Sequence, residues 1–184
     1  MPDNIYHSSL ERLFKQVTWH DDYQAFEKIF KSTYGDLLRY AMSFTSDKGE
    51  AENVVSEVFY KLWKQRSNIR INTSVKSYLY SATRNQALDG LRKTQSTQAM
   101  MEKTPSASSA HALSPEEKLI GQELEECIQN AINQLPEQRQ LIFRLNREEG
   151  LKYREIAQLL NISIITVETQ MSRSLKALRE AIPH

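Results

Sequence analysis

Apolar residues return at three- and four-residue steps through most of this chain, the period of a helix with one buried stripe. Tyr23, Phe26, Phe30, Leu37, Leu38, Ala41 and Phe44 form the first such stripe. Asp47, with Glu50 three residues on, has the spacing of a capping box, so a second helix is expected to begin there. Ala51, Val54, Val55, Val58, Phe59, Leu62 and Trp63 then fall at i, i+3, i+4, i+7, i+8, i+11 and i+12, a full apolar face. The polar positions Asn53, Ser56, Glu57, Tyr60, Lys61 and Lys64 lie elsewhere on that helix. An irregular connection over Ser67–Thr73 leads to a third expected helix of about Val75–Lys93.

The period then stops. Thr94–Ser114 is rich in Ser, Thr, Ala and Gln, and cannot bury enough apolar surface to offset the entropy of ordering. A flexible linker over residues 94–114 is therefore expected between a domain of residues 1–93 and one of residues 115–184. Ser114, Pro115 and Glu117 match a helix start, with Leu119, Leu124, Ile128 and Ile132 on the buried side. Pro136 opens another helix, with Leu141, Ile142 and Leu145 inward, and Gly150 closes it as a left-handed cap. The expected fold class is all-α: two small helical domains joined by a flexible linker. Only five Gly and five Pro in 184 residues agree with this, because strands joined by tight turns draw on both.

The last third of the chain reads as a helix-turn-helix. Leu151–Leu160 is a short helix with Tyr153, Ile156, Ala157 and Leu160 inward, and Ala157 is small where a second helix must cross. Asn161 tolerates the left-handed turn, Ile162 plugs the corner and Ser163 caps the second helix. There Val167, Met171, Leu175 and Leu178 face the core. Ile165, Thr166, Glu168, Thr169, Gln170, Ser172, Arg173 and Lys176 face outward. Such a helix fits a DNA major groove, where Gln170 and Arg173 offer bidentate contacts to adenine or guanine, and Thr166 and Thr169 reach phosphate or a thymine methyl. Glu168 counts against DNA unless it accepts from a cytosine. A helical hairpin that serves packing alone has the same local pattern.

Charge adds a polarity that the period does not show. Net charge is +1, yet Lys61–Lys93 holds eight basic residues against one acid, Asp89. Glu116–Glu149 holds eight acids against four bases. Two segments of opposite sign suit two different partners, although solvated helix faces account for the charge equally well. One cysteine, Cys127, allows no internal disulfide and reads as a small buried hydrophobe. No apolar run approaches a membrane span, and Met1–Leu10 has no signal-peptide core, so a cytoplasmic protein that is not itself a membrane protein is expected. The acidic segment has no nearby His, nucleophile or metal spacing. No cofactor, no metal and no enzyme chemistry are expected.

Three motifs carry a family resemblance. Leu135-Pro136-Glu137, then Gly150 through Ala157 and on to Leu178-Arg179, resemble region 4 of sigma-70 factors. Glu50 through Trp63 resembles the polymerase-binding helix of region 2, and Ser77-Tyr78-Leu79-Tyr80 through Arg84-Asn85, with Asp89, Leu91 and Arg92, its promoter-melting helix. The pattern is similar to the extracytoplasmic-function (ECF) group, in which only these two regions are present.

The resemblance implies a sigma factor that binds core RNA polymerase and directs initiation at specific promoters. Asn53, Ser56, Glu57 and Tyr60 would dock on the β′ clamp helices. Asn53 stands where the family usually has Asp and Ser56 where it has Gln, so polar contacts there are expected to be weaker or differently arranged. The acidic segment would surround a contact with the β flap. The resemblance also implies that the outward residues of the last helix, Ile165 to Lys176, grip the minus-thirty-five element. The separated minus-ten strand would meet Lys61, Ile69, Arg70, Asn72, Tyr78, Tyr80, Arg84, Asn85, Arg92 and Lys93. Tyrosines would stack, basic groups would meet phosphate, and Asn72 and Asn85 would read a flipped base. Tyr78 and Tyr80 sit two apart on different faces, so one of them can instead belong to the core. An anti-sigma factor is an expected partner. Two other readings remain, a stand-alone duplex-DNA regulator and a protein-interaction module; the docking motif argues against the first.

Overall fold

Short acids begin the amino-terminal helices. Asp22 Oδ1 accepts from the Ala25 amide at 3.0 Å, and Asp47 Oδ1 accepts from the Glu50 amide at 3.0 Å. Each satisfies an amide that the first turn leaves unpaired. The Glu50 carboxylate does not reach back to close a box; it accepts from Thr45 Oγ1 at 2.6 Å. The computed structural model describes residues 3–98 and 127–181, with side chains over 9–92 and 127–181. Every regular element among them is an α-helix. The chain divides into two units, residues 1–108 and 109–184.

In the first unit α1 (Asp3–His20), α2 (Tyr23–Ala41), α3 (Lys48–Gln65) and α4 (Val75–Gln98) pack as a bundle. α2 lies against the other three, and α4 likewise. Val17, Ile29, Leu37, Val55, Leu62, Val75 and Leu79 are fully buried at its centre. Beside them Phe30 meets Phe59 at 4.8 Å and Phe26 meets Trp63 at 5.0 Å, centroid to centroid. The inward stripe of α2 is Ala25, Ile29, Thr33, Leu37 and Tyr40. Phe26 and Phe30 flank that stripe, and Tyr23 is exposed although its ring touches Trp63.

Two features of this unit depart from expectation. α1 has no counterpart in the sequence reading, yet it supplies Glu11, whose Oε1 accepts from the Val75 amide at 2.8 Å and caps α4. α4 continues through residues 94–98, which were expected to belong to the linker. That stretch contains neither Gly nor Pro, and each residue added to an existing helix gains a hydrogen bond without repeating nucleation. The rest of the expected linker, and the helix start at Ser114, Pro115 and Glu117, lie outside the described residues.

In the second unit the described part of α5 is 127–133, followed by α6 (Glu137–Arg147), α7 (Tyr153–Leu160) and α8 (Ile164–Ala181). Two left-handed residues set the corners: Gly150 at φ +67° and Asn161 at φ +57°, ψ +47°. At the second corner the Ile162 amide donates to the Ala157 carbonyl at 3.0 Å, closing the end of α7. Glu155 Oε2 accepts from the Lys152 amide at 2.9 Å and fixes its start. α6 and α7 pack on α8 over Ile142, Leu145, Leu151, Ile156, Val167 and Met171.

The buried set of this unit differs at several places from the expected one. Phe143 and Leu159 are buried, while Leu141, Tyr153 and Leu160 are only partly so. On α8 Leu175 is 39% exposed and Ser174 is fully buried in its place. The Ser174 hydroxyl donates to the Gln170 carbonyl at 2.9 Å, which removes the cost of burying it. Cys127 is only half-buried, with Sγ 3.7 Å from the Ala181 carbonyl oxygen.

Candidate nucleic-acid and polymerase interfaces

The outer face of α8 is built from its first turn. Ser163 Oγ accepts from the Thr166 amide at 3.0 Å and shares a 2.8 Å hydrogen bond with Thr166 Oγ1. Val167, Met171, Ser174 and Leu178 anchor the rear. In front, Ile165 is 73% exposed, and Glu168, Thr169, Ser172, Arg173 and Lys176 are exposed beside it. Thr169 Oγ1 donates to the Ile165 carbonyl at 2.8 Å, which engages its hydroxyl proton within the helix. Lys176 Nζ is 3.9 Å from Glu180. No carboxylate among the described residues lies within ion-pair distance of Arg173. Gln170 is half-buried, and its Oε1 accepts from Arg139 Nε at 3.2 Å.

The basic segment of the first unit is divided between surface and structure. Arg70, Asn72, Asn85 and Arg92 are exposed, and Ile69 and Arg84 are half-buried. Arg92 pairs with Asp89 at 3.4 Å. Lys61 Nζ donates to Gln86 Oε1 at 2.7 Å, tying α3 to α4, and lies 3.7 Å from Glu57 on its own helix. Arg66, one of the eight basic residues of the segment, stacks on Trp63 at 4.3 Å and pairs with Asp21. The Lys93 side chain lies outside the described side chains.

The two tyrosines separate. Tyr78 is half-buried, its ring 6.3 Å from Phe14, and burial raises its hydroxyl above the usual range. Tyr80 is 2% exposed and packs on Tyr40, so its expected contact with the minus-ten strand is withdrawn. Its two-residue offset from Tyr78 turns it into the bundle instead.

The expected polymerase-docking residues share one open side of α3. Asn53 and Ser56 are exposed, Glu57 is half-buried and Tyr60 is 56% exposed, with Lys64 Nζ 5.5 Å from its ring centroid. Asn53, Glu57 and Lys61 edge a groove of about 520 Å³ between α3 and α4, with Gln86 and Asp89 opposite. Sequence reasoning did not single out Arg139 or Glu11, because their partners are 31 and 64 residues away. No group of three or more His, Cys, Asp or Glu suited to a metal occurs among the described residues, and none of their helices is long and apolar enough to cross a membrane.

The carboxyl-terminal unit is thus of the helix-turn-helix class, with an open outer face on its second helix. The comparisons with known proteins extend this to the whole chain. Residues 29–97 match the family model described as "Sigma-70 region 2", and residues 125–178 match "Sigma-70, region 4". The RNA polymerase sigma-H factor of Pseudomonas aeruginosa is 27% identical over 169 residues, 88% of each chain. The ECF RNA polymerase sigma factor SigW of Bacillus subtilis is 24% identical over 181 residues, 94% of this chain and 96% of that one. Among solved structures, the sigma factor RpoE of Bartonella quintana, in complex with the anti-sigma factor NepR, shares the fold. Its TM-score is 0.61 at 21% identity, over 85% of this chain and 95% of that one. The chain belongs to the sigma-70 family, in its ECF group.

Proposed function

We propose that this protein is a non-catalytic specificity subunit, which binds core RNA polymerase in the cytoplasm and directs transcription from its own class of promoter. The observation that carries the reading is the face of α8. Ile165, Thr169, Ser172, Arg173 and Lys176 stand clear of a buried rear stripe, on a helix whose amino terminus is capped and free of acids in its first turn. That is the geometry of a helix laid in the major groove of the minus-thirty-five element.

The first unit supplies the other contacts. Asn53, Ser56, Glu57 and Tyr60 dock on the polymerase β′ clamp helices, and the carboxyl-terminal unit meets the β flap. The exposed Arg70, Asn72, Asn85 and Arg92, with the open side of Tyr78, take the separated minus-ten strand. Lys61, Ile69 and Arg84 edge that site, and the exposed Lys61 ammonium keeps donors for a phosphate beside its bond to Gln86. An anti-sigma factor holds the protein inactive, a reading supported by the NepR complex of the B. quintana protein.

Transcription reconstituted with core polymerase from the same host tests the proposal. A transcript from a cognate promoter, absent without this protein, is expected. Core enzyme that gains no promoter preference overturns it.

A further inference from the structure

Arg139 is on α6 and Gln170 on α8, yet Arg139 Nε donates to Gln170 Oε1 at 3.2 Å. A guanidinium offers five N–H donors, no acceptor, and keeps its proton at any ordinary pH. The amide atom that faces it must therefore be the oxygen, an assignment made by partner chemistry. The Gln170 NH2 group is then directed away from Arg139. No carboxylate among the described residues lies within ion-pair distance of Arg139.

The pair sits beside the reading face. Thr166, Gln170 and Arg173 are spaced i, i+4, i+7 and share one edge of α8, next to the buried stripe of Val167, Met171, Ser174 and Leu178. Thr166 and Arg173 reach solvent on that edge. Gln170 lies between them on that edge, half-buried.

We infer that Arg139 is a positioning residue for base selection: it holds the Gln170 amide in one orientation, so that Gln170 meets the minus-thirty-five duplex as a hydrogen-bond donor. Bidentate reading of adenine needs the amide oxygen on N6 and the NH2 group on N7. Held on Arg139 by a charge-assisted bond, the oxygen has one lone pair left, and an adenine contact would have to share it with the guanidinium. To a donor, adenine offers N7 alone beside its own N6 donor, whereas guanine offers N7 and O6 and thymine offers O4. The bidentate adenine contact expected for Gln170 from sequence gives way to a guanine or thymine preference.

The inference rests on the sigma-factor reading, and a selection on holoenzyme separates the two. Core polymerase loaded with the full chain is presented with promoters randomised across the minus-thirty-five element. Wild type is expected to favour guanine or thymine over adenine at one position, by about two- to tenfold for a single hydrogen bond. Arg139→Ala frees the amide and raises adenine to parity or above at that position only. Arg139→Lys, another cation without an acceptor, restores the preference. Gln170→Ala abolishes the preference there and makes Arg139→Ala silent. Melting temperatures and minus-ten preferences, read in parallel, are expected to stay unchanged in Arg139→Lys.

A uniform affinity loss in Arg139→Ala, with the salt slope reduced by about 0.9 and base preferences intact, marks a phosphate contact and overturns the inference. Preferences indifferent to Arg139, or an adenine preference in wild type, overturn it as well. A wild-type holoenzyme without any promoter preference overturns the sigma-factor reading itself.

Discussion

The rings of Tyr40 and Tyr80 lie 4.9 Å apart, centroid to centroid, inside the amino-terminal bundle. Tyr80 therefore serves the core, and its replacement should act on stability before it acts on DNA. Tyr80→Ala is expected to cost about 3–5 kcal/mol, the range for loss of a large buried ring. Tyr78→Ala, at a half-buried position, should cost less. Both tryptophans, Trp19 and Trp63, are in the first unit, so urea unfolding followed by tryptophan fluorescence reports on that unit. Equal losses from the two substitutions would refute the assignment.

The Tyr40 hydroxyl links this core to pH. Burial raises its pKa well above the ordinary 10.0, against a smaller downward pull from Arg84. The folded unit thus holds the proton more tightly than the unfolded chain does. That stabilisation is complete below pH 10 and is lost as pH rises above 10 toward the raised folded value. Tyr78 contributes in the same direction, through burial. In Tyr40→Phe the alkaline loss of stability should be shallower, seen as a smaller fall in the urea midpoint between about pH 8 and 11. At neutral pH the substitution should change stability by less than about 1 kcal/mol, because the Tyr40 hydroxyl has no hydrogen-bond partner among the described residues. A pH profile identical to wild type would sink the linkage.

The helix-turn-helix was legible because its signals are local. Gly150 and Asn161 mark left-handed corners, and Ser163 is a cap one residue before the helix it starts. Apolar spacing also located α3 and its open side. It failed where identity and burial part company. Ser174 is buried because a carbonyl four residues back satisfies its hydroxyl, and no pattern of apolar residues reveals that. Tyr78 and Tyr80 could not be told apart because aromatic type does not say which face meets the core. α1 was overlooked although its period is present, with Leu10, Leu13, Phe14 and Val17 at i, i+3, i+4 and i+7 and three of these buried; only the contact of Glu11 with α4 had no local signal. Arg139 had no local signal, since Gln170 approaches it only after α6 and α8 pack.

The exchange of Ser174 for Leu175 on the inner face of α8 has its own test. Leu175→Ser should lie within about 0.5 kcal/mol of wild type, as an exposed change does. Ser174→Leu must force two extra heavy atoms into a filled site and should cost about 1–3 kcal/mol. Urea unfolding of the full chain, followed by far-ultraviolet circular dichroism, measures both. Greater damage from Leu175→Ser would restore the apolar stripe expected from sequence.

Asn161 sets the angle at which α8 leaves α7. At φ +57° a β-carbon branch is strained, so Asn161→Val should cost at least about 1–2 kcal/mol, while Asn161→Gly should be close to neutral. The same substitution tilts the reading helix, so holoenzyme bearing Asn161→Val should lose promoter affinity even at temperatures where it remains folded. Filter binding to a cognate promoter, beside a thermal melt, separates the two effects; a folded Asn161→Val with undiminished affinity would show that the corner does not position α8.

Arg173 is an exposed cation on the edge of α8 without an acidic partner among the described residues, and two contacts are open to it. A bidentate contact to guanine makes Arg173→Ala cost about 1–3 kcal/mol on promoters with that base, and little on promoters without it. A phosphate contact makes the loss equal on every promoter and lowers the log–log salt slope by about 0.9. The position of Arg173 beside Gln170, on the edge of α8 and one turn from Thr169, favours the base contact. Holoenzyme affinity, measured across a salt series on two promoters that differ at a single guanine, decides between them. The expected result is a loss confined to the guanine promoter, with the salt slope unchanged. A loss on neither would remove Arg173 from the interface.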